Sequence, residues 1–330
     1  MYETPFQKEN LGAYAFLVTG GAGFIGSHLV EYLLHHGAGK VRVLDNYATG
    51  FEQNLAPFVK NPRLELVRGD IREPEVCRRA CTGIDFVSHQ AALGSVPRSI
   101  HDPLTTNAVN ISGFLNILVA ARDAGVRRLV YAASSSTYGD SQKLPKVEHE
   151  IGRPLSPYAV TKYVNELYAD VFARTYGMEL VGLRYFNVFG PRQSPEGAYA
   201  AVIPLLVKSI LTGTRPVIHG DGEQTRDFTF VANAVQANLR ALFAPGAATN
   251  QVYNVAVGDR TSLNQLFHLL RNAEGSGVEP VYADPRPGDI RDSLADISKA
   301  QQLLGYQPTV RIAEGLRLTL EWFKKVNSEG

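Results

Sequence analysis

The sequence predicts an α/β protein: a doubly wound parallel sheet followed by a smaller C-terminal α/β domain. Three observations carry this. Short apolar runs suited to strands buried on both faces alternate with stretches of helical period from residue 15 to about residue 190. A glycine-rich turn joins the first apolar run to the first helix. Beyond residue 190 the connections grow richer in Gly and Pro, as at 213–222 and 283–288.

In order, Ala15–Thr19 (AFLVT) reads as the first strand, and Gly20-Gly21-Ala22-Gly23-Phe24-Ile25-Gly26 leads into a helix ending near His35. Residues 41–45 form the second strand, with Asp45 at its carboxyl end, and 64–67 the third, followed by Asp70 and Ile71. A fourth strand at 85–91, a helix at 103–124 and a fifth strand at 128–133 precede the hydroxyl-rich loop 134–139. The segment Ser156-Pro157-Tyr158 opens a long helix to Tyr176, and Glu179–Tyr185 is the sixth strand. In the second half, helices at 200–211, Val231–Leu242, 263–272 and 312–324 are expected, with strands at Val217–His219 and 252–257. The boundary falls at 1–190 and 191–330, with interleaving of segments allowed.

Composition narrows the partners. The 330 residues carry 33 basic and 32 acidic side chains with no long basic run, which argues against nucleic acid or an anionic membrane. Uninterrupted apolar runs fall short of the ~18 residues that span a bilayer. The first 14 residues lack the apolar core of a signal peptide and read as a short polar arm. Cys77 and Cys81 are the only cysteines and no His/Cys cluster completes a metal site, so no metal is expected and both read as reduced thiols of a cytoplasmic protein.

The glycine turn fits a dinucleotide-binding (Rossmann) unit. Glycine permits the tight turn, backbone approach to a pyrophosphate, and close packing of helix on strand. The helix N-terminus then offers N–H groups and a positive dipole end to phosphate. Asp45, 19 residues past Gly26 at the end of the next strand, would accept hydrogen bonds from ribose hydroxyls and repel a 2′-phosphate, which favours NAD over NADP. Asp70 and Ile71 stand where they would flank the adenine. Tyr158 and Lys162 lie four apart on one helix, so they share a face. An ammonium near a phenol favours the phenolate, although Tyr and Lys fall at this spacing by chance in many surface helices.

Together, GGAGFIG, Asp45, Ser134 and Tyr158-x-x-x-Lys162 resemble the extended short-chain dehydrogenase/reductase family. Within it the chain is similar to nucleotide-sugar 4-epimerases, particularly the branch acting on UDP-N-acetylhexosamines and related uronic acids. The second half carries the resemblance through Leu183-Arg184-Tyr185-Phe186-Asn187-Val188-Phe189-Gly190, Gly220-Asp221-Gly222, Arg226-Asp227 and Arg286-Pro287-Gly288-Asp289. The resemblance implies that NAD lies along Gly20, Gly23, Phe24, Ile25 and Gly26, with Asn46 beside Asp45. Gln90, Ala91, Ala92, Asn110 and Tyr185 would line the same cofactor. It implies that Tyr158 takes the proton of the sugar 4-hydroxyl, that Lys162 lowers the tyrosine pKa and binds the nicotinamide ribose, and that Ser134 helps relay the proton. Asn187, Arg226 and Arg286 would meet the UDP diphosphate and Asp289 the uridine ribose. Ser135, Ser136, Val202 and His219 would complete the substrate contacts. A homodimer is implied through the helices at 103–124 and 158–176.

The same resemblance bears on the reaction. Dehydratases of the family carry Asp-Glu directly after the catalytic threonine, and UDP-glucuronate decarboxylases carry a glutamate at the second position. Here those positions are Ser135 and Ser136, which cannot act as carboxylates. C4 epimerisation through a transient 4-keto sugar is left, and Gly94, Ala201 and Ser293 stand where epimerases restricted to smaller sugars carry lysine, asparagine and tyrosine. That favours UDP-N-acetylglucosamine, interconverted with UDP-N-acetylgalactosamine. The alternatives are a UDP-N-acetylhexosaminuronate or UDP-glucuronate 4-epimerase, a decarboxylase or 4,6-dehydratase, and a non-catalytic dinucleotide sensor.

Overall fold

A computed structural model describes residues 1–196, 200–285 and 291–329. The first half forms six strands, β1 (Ala15–Thr19), β2 (Lys40–Asp45), β3 (Leu64–Arg68), β4 (Phe86–His89), β5 (Arg128–Ser134) and β6 (Glu179–Tyr185). Between them run α1 (Phe24–His35), α2 (Pro74–Cys81), α3 (Val96–His101), α4 (Pro103–Asn107), α5 (Phe114–Asp123) and α6 (Pro157–Tyr176). The second half adds β7 (Val188–Phe189), α7 (Val202–Thr212), β8 (Val217–His219), β9 (Thr225–Arg226), β10 (Thr229–Phe230) and α8 (Val231–Leu242). It continues with β11 (Gln251–Val255), β12 (Thr261–Ser262), α9 (Leu263–Glu274), β13 (Val281–Ala283), α10 (Ser298–Leu304) and α11 (Ile312–Glu329).

The large sheet is parallel, in the order β11-β6-β5-β4-β1-β2-β3. Its strands bury alternate side chains on opposite faces. Phe16, Val18, Val41, Val43, Val130 and Val181 enter one core with α1 and α8. Leu17, Leu44, Val87, Leu129, Tyr131 and Leu180 enter the other, with α2, α5 and α6. Two of these elements come from beyond residue 190: β11 pairs in parallel with β6, from Gln251 opposite Val181 to Val255 opposite Tyr185, and α8 packs beside α1. The second half thus crosses back into the large sheet, where Arg128 at the start of β5 binds the carbonyls of Ala241, Leu242 and Ala244 at the end of α8. Three two-stranded pairs, β7 with β10, β8 with β13 and β9 with β12, form the small sheets of the second half.

Several elements depart from the sequence reading for local reasons. The helix expected over 103–124 is interrupted by a widened π-helical turn at Ala108–Gly113. Residues 103–123 as a whole are long and apolar enough to cross a bilayer, which corrects the count based on uninterrupted runs, because Thr, Asn and Ser break the run without adding charge. This stretch is packed into the fold, with Phe114, Ile117, Leu118 and Ala121 buried beneath α2 and α6. The N-terminal arm is anchored by aromatics: Tyr2 is buried with its hydroxyl 3.0 Å from His28 Nδ1, and Phe6 stacks on Tyr32. Cys77 and Cys81 are buried free thiols whose pKa burial pushes up to about 12.

Helix α6 is set firmly. Ser156 caps it by accepting the Ala159 N–H, Pro157 supplies a pre-set first turn, and Gly177 ends it in the left-handed conformation. Its buried Glu166 forms a two-pronged ion pair with Arg184 of β6, at 2.9 and 2.7 Å. Removing one partner strands the other charge in the core. Glu166→Ala is therefore expected to lower the unfolding free energy by about 3–5 kcal/mol in urea titration, and a loss below about 1 kcal/mol would show the pair to be dispensable.

Candidate active site

The strand order reverses between β1 and β4, and a cleft of about 730 Å³ opens there at the carboxyl ends of the strands. Gly20, Asp45, Gln90, Ser134 and Tyr185, each at or just past the end of a different strand, all line it.

The glycine turn forms one wall. A Cβ on Gly26 would stand 2.1 Å from the Gly20 carbonyl oxygen, and one on Gly20, whose φ is +68°, 2.7 Å from the Ala91 nitrogen. Glycine is required at both places for α1 to sit this close to β1 and β4. Gly23 caps α1 without a side-chain acceptor, and Phe24, Ile25 and Gly26 line the cleft, so the first N–H groups of the helix are left for an external anion. Asp45 accepts the backbone N–H groups of Ala22 and Tyr47 at 2.9 and 2.8 Å, which joins the ends of β1 and β2 beneath the cleft. Asp70 accepts a bond from Asn46 and a two-pronged bond from Arg72, whose guanidinium brings its pKa down to about 2. Ile71 lines the cleft beside them. This cradle fits a dinucleotide: N–H groups for the pyrophosphate and a carboxylate for a ribose.

On the opposite side stand Ser134, Tyr158 and Lys162, all lining the cleft. Ser134 ends β5, and its Oγ accepts the N–H and the hydroxyl of Ser136 at 3.1 and 2.9 Å. Tyr158 is hydrogen-bonded by Ser134. Lys162 donates to the Ala132 carbonyl at 2.8 Å, and its Nζ lies 5.9 Å from the centre of the Tyr158 ring. Burial brings the Lys162 pKa down to about 8. Burial also raises that of Tyr158, and the hydrogen bond from Ser134 opposes the rise. In this geometry the hydrogen bond of Lys162 goes to a backbone carbonyl, and the bond from Ser134 pulls the phenol down.

Other expected residues divide by position. Asn46, Ala91, Ala92, Gly94, Asn187 and Ala201 line the cleft. Asn110 does not. It stands behind the wall, bonding both backbone groups of Leu93 at 2.8 and 3.1 Å and Thr161 of α6 at 3.1 Å. Ser135, Ser136, Val202, His219, Arg226 and Ser293 also lie off the lining. His219 Nδ1 meets the Asp284 carbonyl, the backbone N–H of Ser293 donates to the Thr225 carbonyl, and Arg226 binds the carbonyls of Thr225 and Arg291. Arg286 and Asp289 lie outside the described residues.

The sequence reading missed part of the site. Asn238 of α8 donates to the Tyr185 hydroxyl at 2.7 Å and accepts from Gln90 and Ser88, both at 3.1 Å. Its one signal was a polar residue in a helix of mainly apolar ones. Thr19 bonds the Ala91 N–H and His89, whose ring burial keeps neutral with a pKa of about 3. Gln193, Ser194 and Glu196 line the cleft directly after a motif already noted.

The fold, the glycine cradle and the tyrosine–lysine–serine group define a dinucleotide-dependent enzyme of the extended short-chain dehydrogenase/reductase type. The NAD dependent epimerase/dehydratase family model matches residues 16–256, and the chain belongs to this family. A UDP-glucose 4-epimerase of Mycolicibacterium smegmatis is 38% identical over 315 residues, covering 93% of this chain and 98% of its own length. The crystal structure of UDP-glucose 4-epimerase with UDP-glucose from Thermotoga maritima superposes with a TM-score of 0.89 at 40% identity, covering 95% of this chain and 99% of that one. UDP-N-acetylglucosamine 4-epimerase from Methanobrevibacter ruminantium, in complex with UDP-N-acetylmuramic acid, superposes with a TM-score of 0.90 at 39% identity, with the same coverage. The cofactor of this chain is NAD.

Because the Gly26 contact is backbone against backbone, Gly26→Ala cannot be absorbed by a side-chain shift. The variant is expected to lose bound NAD, measured by releasing cofactor from the purified protein. Retention of a full equivalent would refute the cradle as drawn.

Proposed function

We propose that the protein interconverts the C4 epimers of a UDP-hexose, with an N-acetylhexosamine as the preferred sugar. The observation that carries this is the convergence of Ser134, Tyr158 and Lys162 on the cleft that the glycine turn and Asp45 also line. When bound, NAD supplies the hydride acceptor in the first half-reaction and the donor in the second. Tyr158 takes the C4 hydroxyl proton as C4 becomes a ketone, and returns it when the ketone is reduced on its other face. Lys162 keeps a positive charge beside the phenol and has N–H donors left for a ribose hydroxyl. A sensor would have no use for these three groups together.

A lyase is disfavoured by what stands beside Ser134. Ser135 and Ser136 occupy the turn, and the described carboxylates on the cleft lie elsewhere: Asp45 and Asp70 at the cradle, Glu196 paired with Lys208 at 2.7 Å. The N-acetyl preference rests on Gly94. A Cβ there would meet nothing within 4 Å and its φ is not in the left-handed range, so neither packing nor backbone demands glycine. Its smallness leaves space in the cleft, as does that of Ala201. The uridine diphosphate is assigned to Asn187, which lines the cleft, and by the resemblance of their motifs to Arg226, Arg286 and Asp289. Whether C6 is an alcohol or a carboxylate is decided by the assay.

Purified protein incubated with UDP-N-acetylglucosamine, UDP-glucose and their uronic acids is expected to give C4 epimers of unchanged mass, fastest with the N-acetyl sugars. Products lighter by water or carbon dioxide would replace this reading with a lyase. Tyr158→Phe is expected to cut kcat at least about 100-fold, and unchanged turnover would rule out Tyr158 as the base. Gly94→Lys is expected to lower kcat/KM for UDP-N-acetylglucosamine by about 10- to 200-fold while sparing UDP-glucose, and an equal loss on both sugars would remove Gly94 from the specificity argument.

A homodimer belongs to the same reading. Val160, Leu167 and Val171 lie along one face of α6, and with Ile100 and Leu104 on the adjoining α3 and α4 they are exposed. The pair Leu104→Arg and Leu167→Arg is expected to convert a dimer to monomer in light scattering, and a monomeric parent protein would remove this face from the proposal.

A further inference from the structure

We infer that Ser136 is a positioning residue that fixes which way Ser134 points its proton, making Ser134 a one-way donor to Tyr158 and to the C4 oxygen of the sugar. The inference rests on the epimerase reading above. It gives Ser136, which does not line the cleft, a role other than the substrate contact expected of it.

A serine hydroxyl has two acceptor lone pairs and one proton. At Ser134 both lone pairs are occupied, one by the Ser136 N–H at 3.1 Å and the other by the Ser136 hydroxyl at 2.9 Å. The proton is all that Ser134 has left to offer, and its remaining partner is the Tyr158 phenol. The turn that carries Ser136 is pinned, because Thr137 Oγ1 donates to the Ser134 carbonyl at 2.8 Å and the Gly139 N–H to the Ser136 carbonyl at 3.1 Å.

The consequence is a choice of proton route. A relay through Ser134 would need its Oγ to accept the sugar's proton while passing its own to Tyr158, and no lone pair is free to accept it. The C4 O–H bond therefore breaks with its proton going directly to the Tyr158 oxygen, as the C4–H electron pair leaves as hydride to NAD. The Ser134 proton stays on Ser134 and is donated to the C4 oxygen as that oxygen becomes a ketone. In the second half-reaction hydride returns to C4, Tyr158 gives the proton back, and Ser134 again exchanges nothing. Before the sugar binds, the same proton is donated to Tyr158, where it favours the phenolate over the phenol.

Ser136→Ala removes one of the two donors and leaves the Ser134 hydroxyl free to rotate, whereas Ser136→Thr keeps a hydroxyl there. Both are to be made in the NAD-loaded enzyme. The ionisation of Tyr158 is followed by NMR of ζ-carbon-labelled tyrosine, with Tyr158→Phe assigning the resonance, and kcat is followed against pH. In Ser136→Ala the Tyr158 ionisation and the rising limb of kcat are expected to move together to higher pH. At neutral pH kcat falls about 2- to 10-fold, the worth of one neutral hydrogen bond, with KM and bound NAD unchanged, and Ser136→Thr restores both. A Tyr158 ionisation that stays put in Ser136→Ala overturns the inference, whether kcat is unchanged or lowered equally at every pH. If the parent enzyme epimerises no UDP-sugar, the functional reading fails by itself and the Tyr158 titration still decides the role of Ser136.

Discussion

The placement of α6 against β5 and β6 is the constraint on which the site depends. Ser134 is on a strand and Tyr158 on a helix that starts 23 residues later, so neither can set the position of the other through the chain. Three contacts across the gap do so. Lys162 reaches the Ala132 carbonyl, Glu166 one helical turn further grips Arg184, and Asn110 bonds Thr161 from the neighbouring helix. Lys162, Glu166 and Thr161 all follow Tyr158 within the next two turns, so a slip or rotation of α6 would break them together.

Burial gives this arrangement its chemistry and its cost. It disfavours both the Lys162 ammonium and the Tyr158 phenolate, the charged forms on which base catalysis relies. The counterweights are specific: a carbonyl for the ammonium, a directed hydroxyl for the phenol. His89, close enough to feel the Lys162 charge, is kept neutral by its own burial and adds no competing cation. Across the cleft the cradle relies on the absence of side chains at Gly20 and Gly26, and on Asp45 tying two strand ends with one carboxylate.

Much of this was legible in the chain. Strand boundaries through residue 185 follow the expected ones closely, because all but the edge strand β3 are largely buried, and α6 has a strong start and stop in Ser156-Pro157 and Gly177. The glycine turn and Asp45 were readable because their spacing is local to one βαβ unit. Asn110 was placed on the right helix, but its bonds to Leu93 and Thr161 are made across the fold and left no local signal. Asn238 was missed because nothing near it in sequence points to Tyr185 or Gln90. Arg226, His219 and Ser293 show the same limit: a motif match says that a residue recurs, whereas bonds such as Arg226 to Arg291 and His219 to Asp284 are made with distant segments.

By itself the sequence determined the parallel sheet and the NAD cradle, because period and glycine spacing are properties of short stretches, and the family resemblance singled out the tyrosine, lysine and serine. Only the tertiary structure decided that β11 and α8 return to the large sheet, that Lys162 answers to a carbonyl, and that Ser134 has its lone pairs filled. Those outcomes depend on pairing across tens of residues and on how much water each group loses. Pattern along the chain carries no record of either.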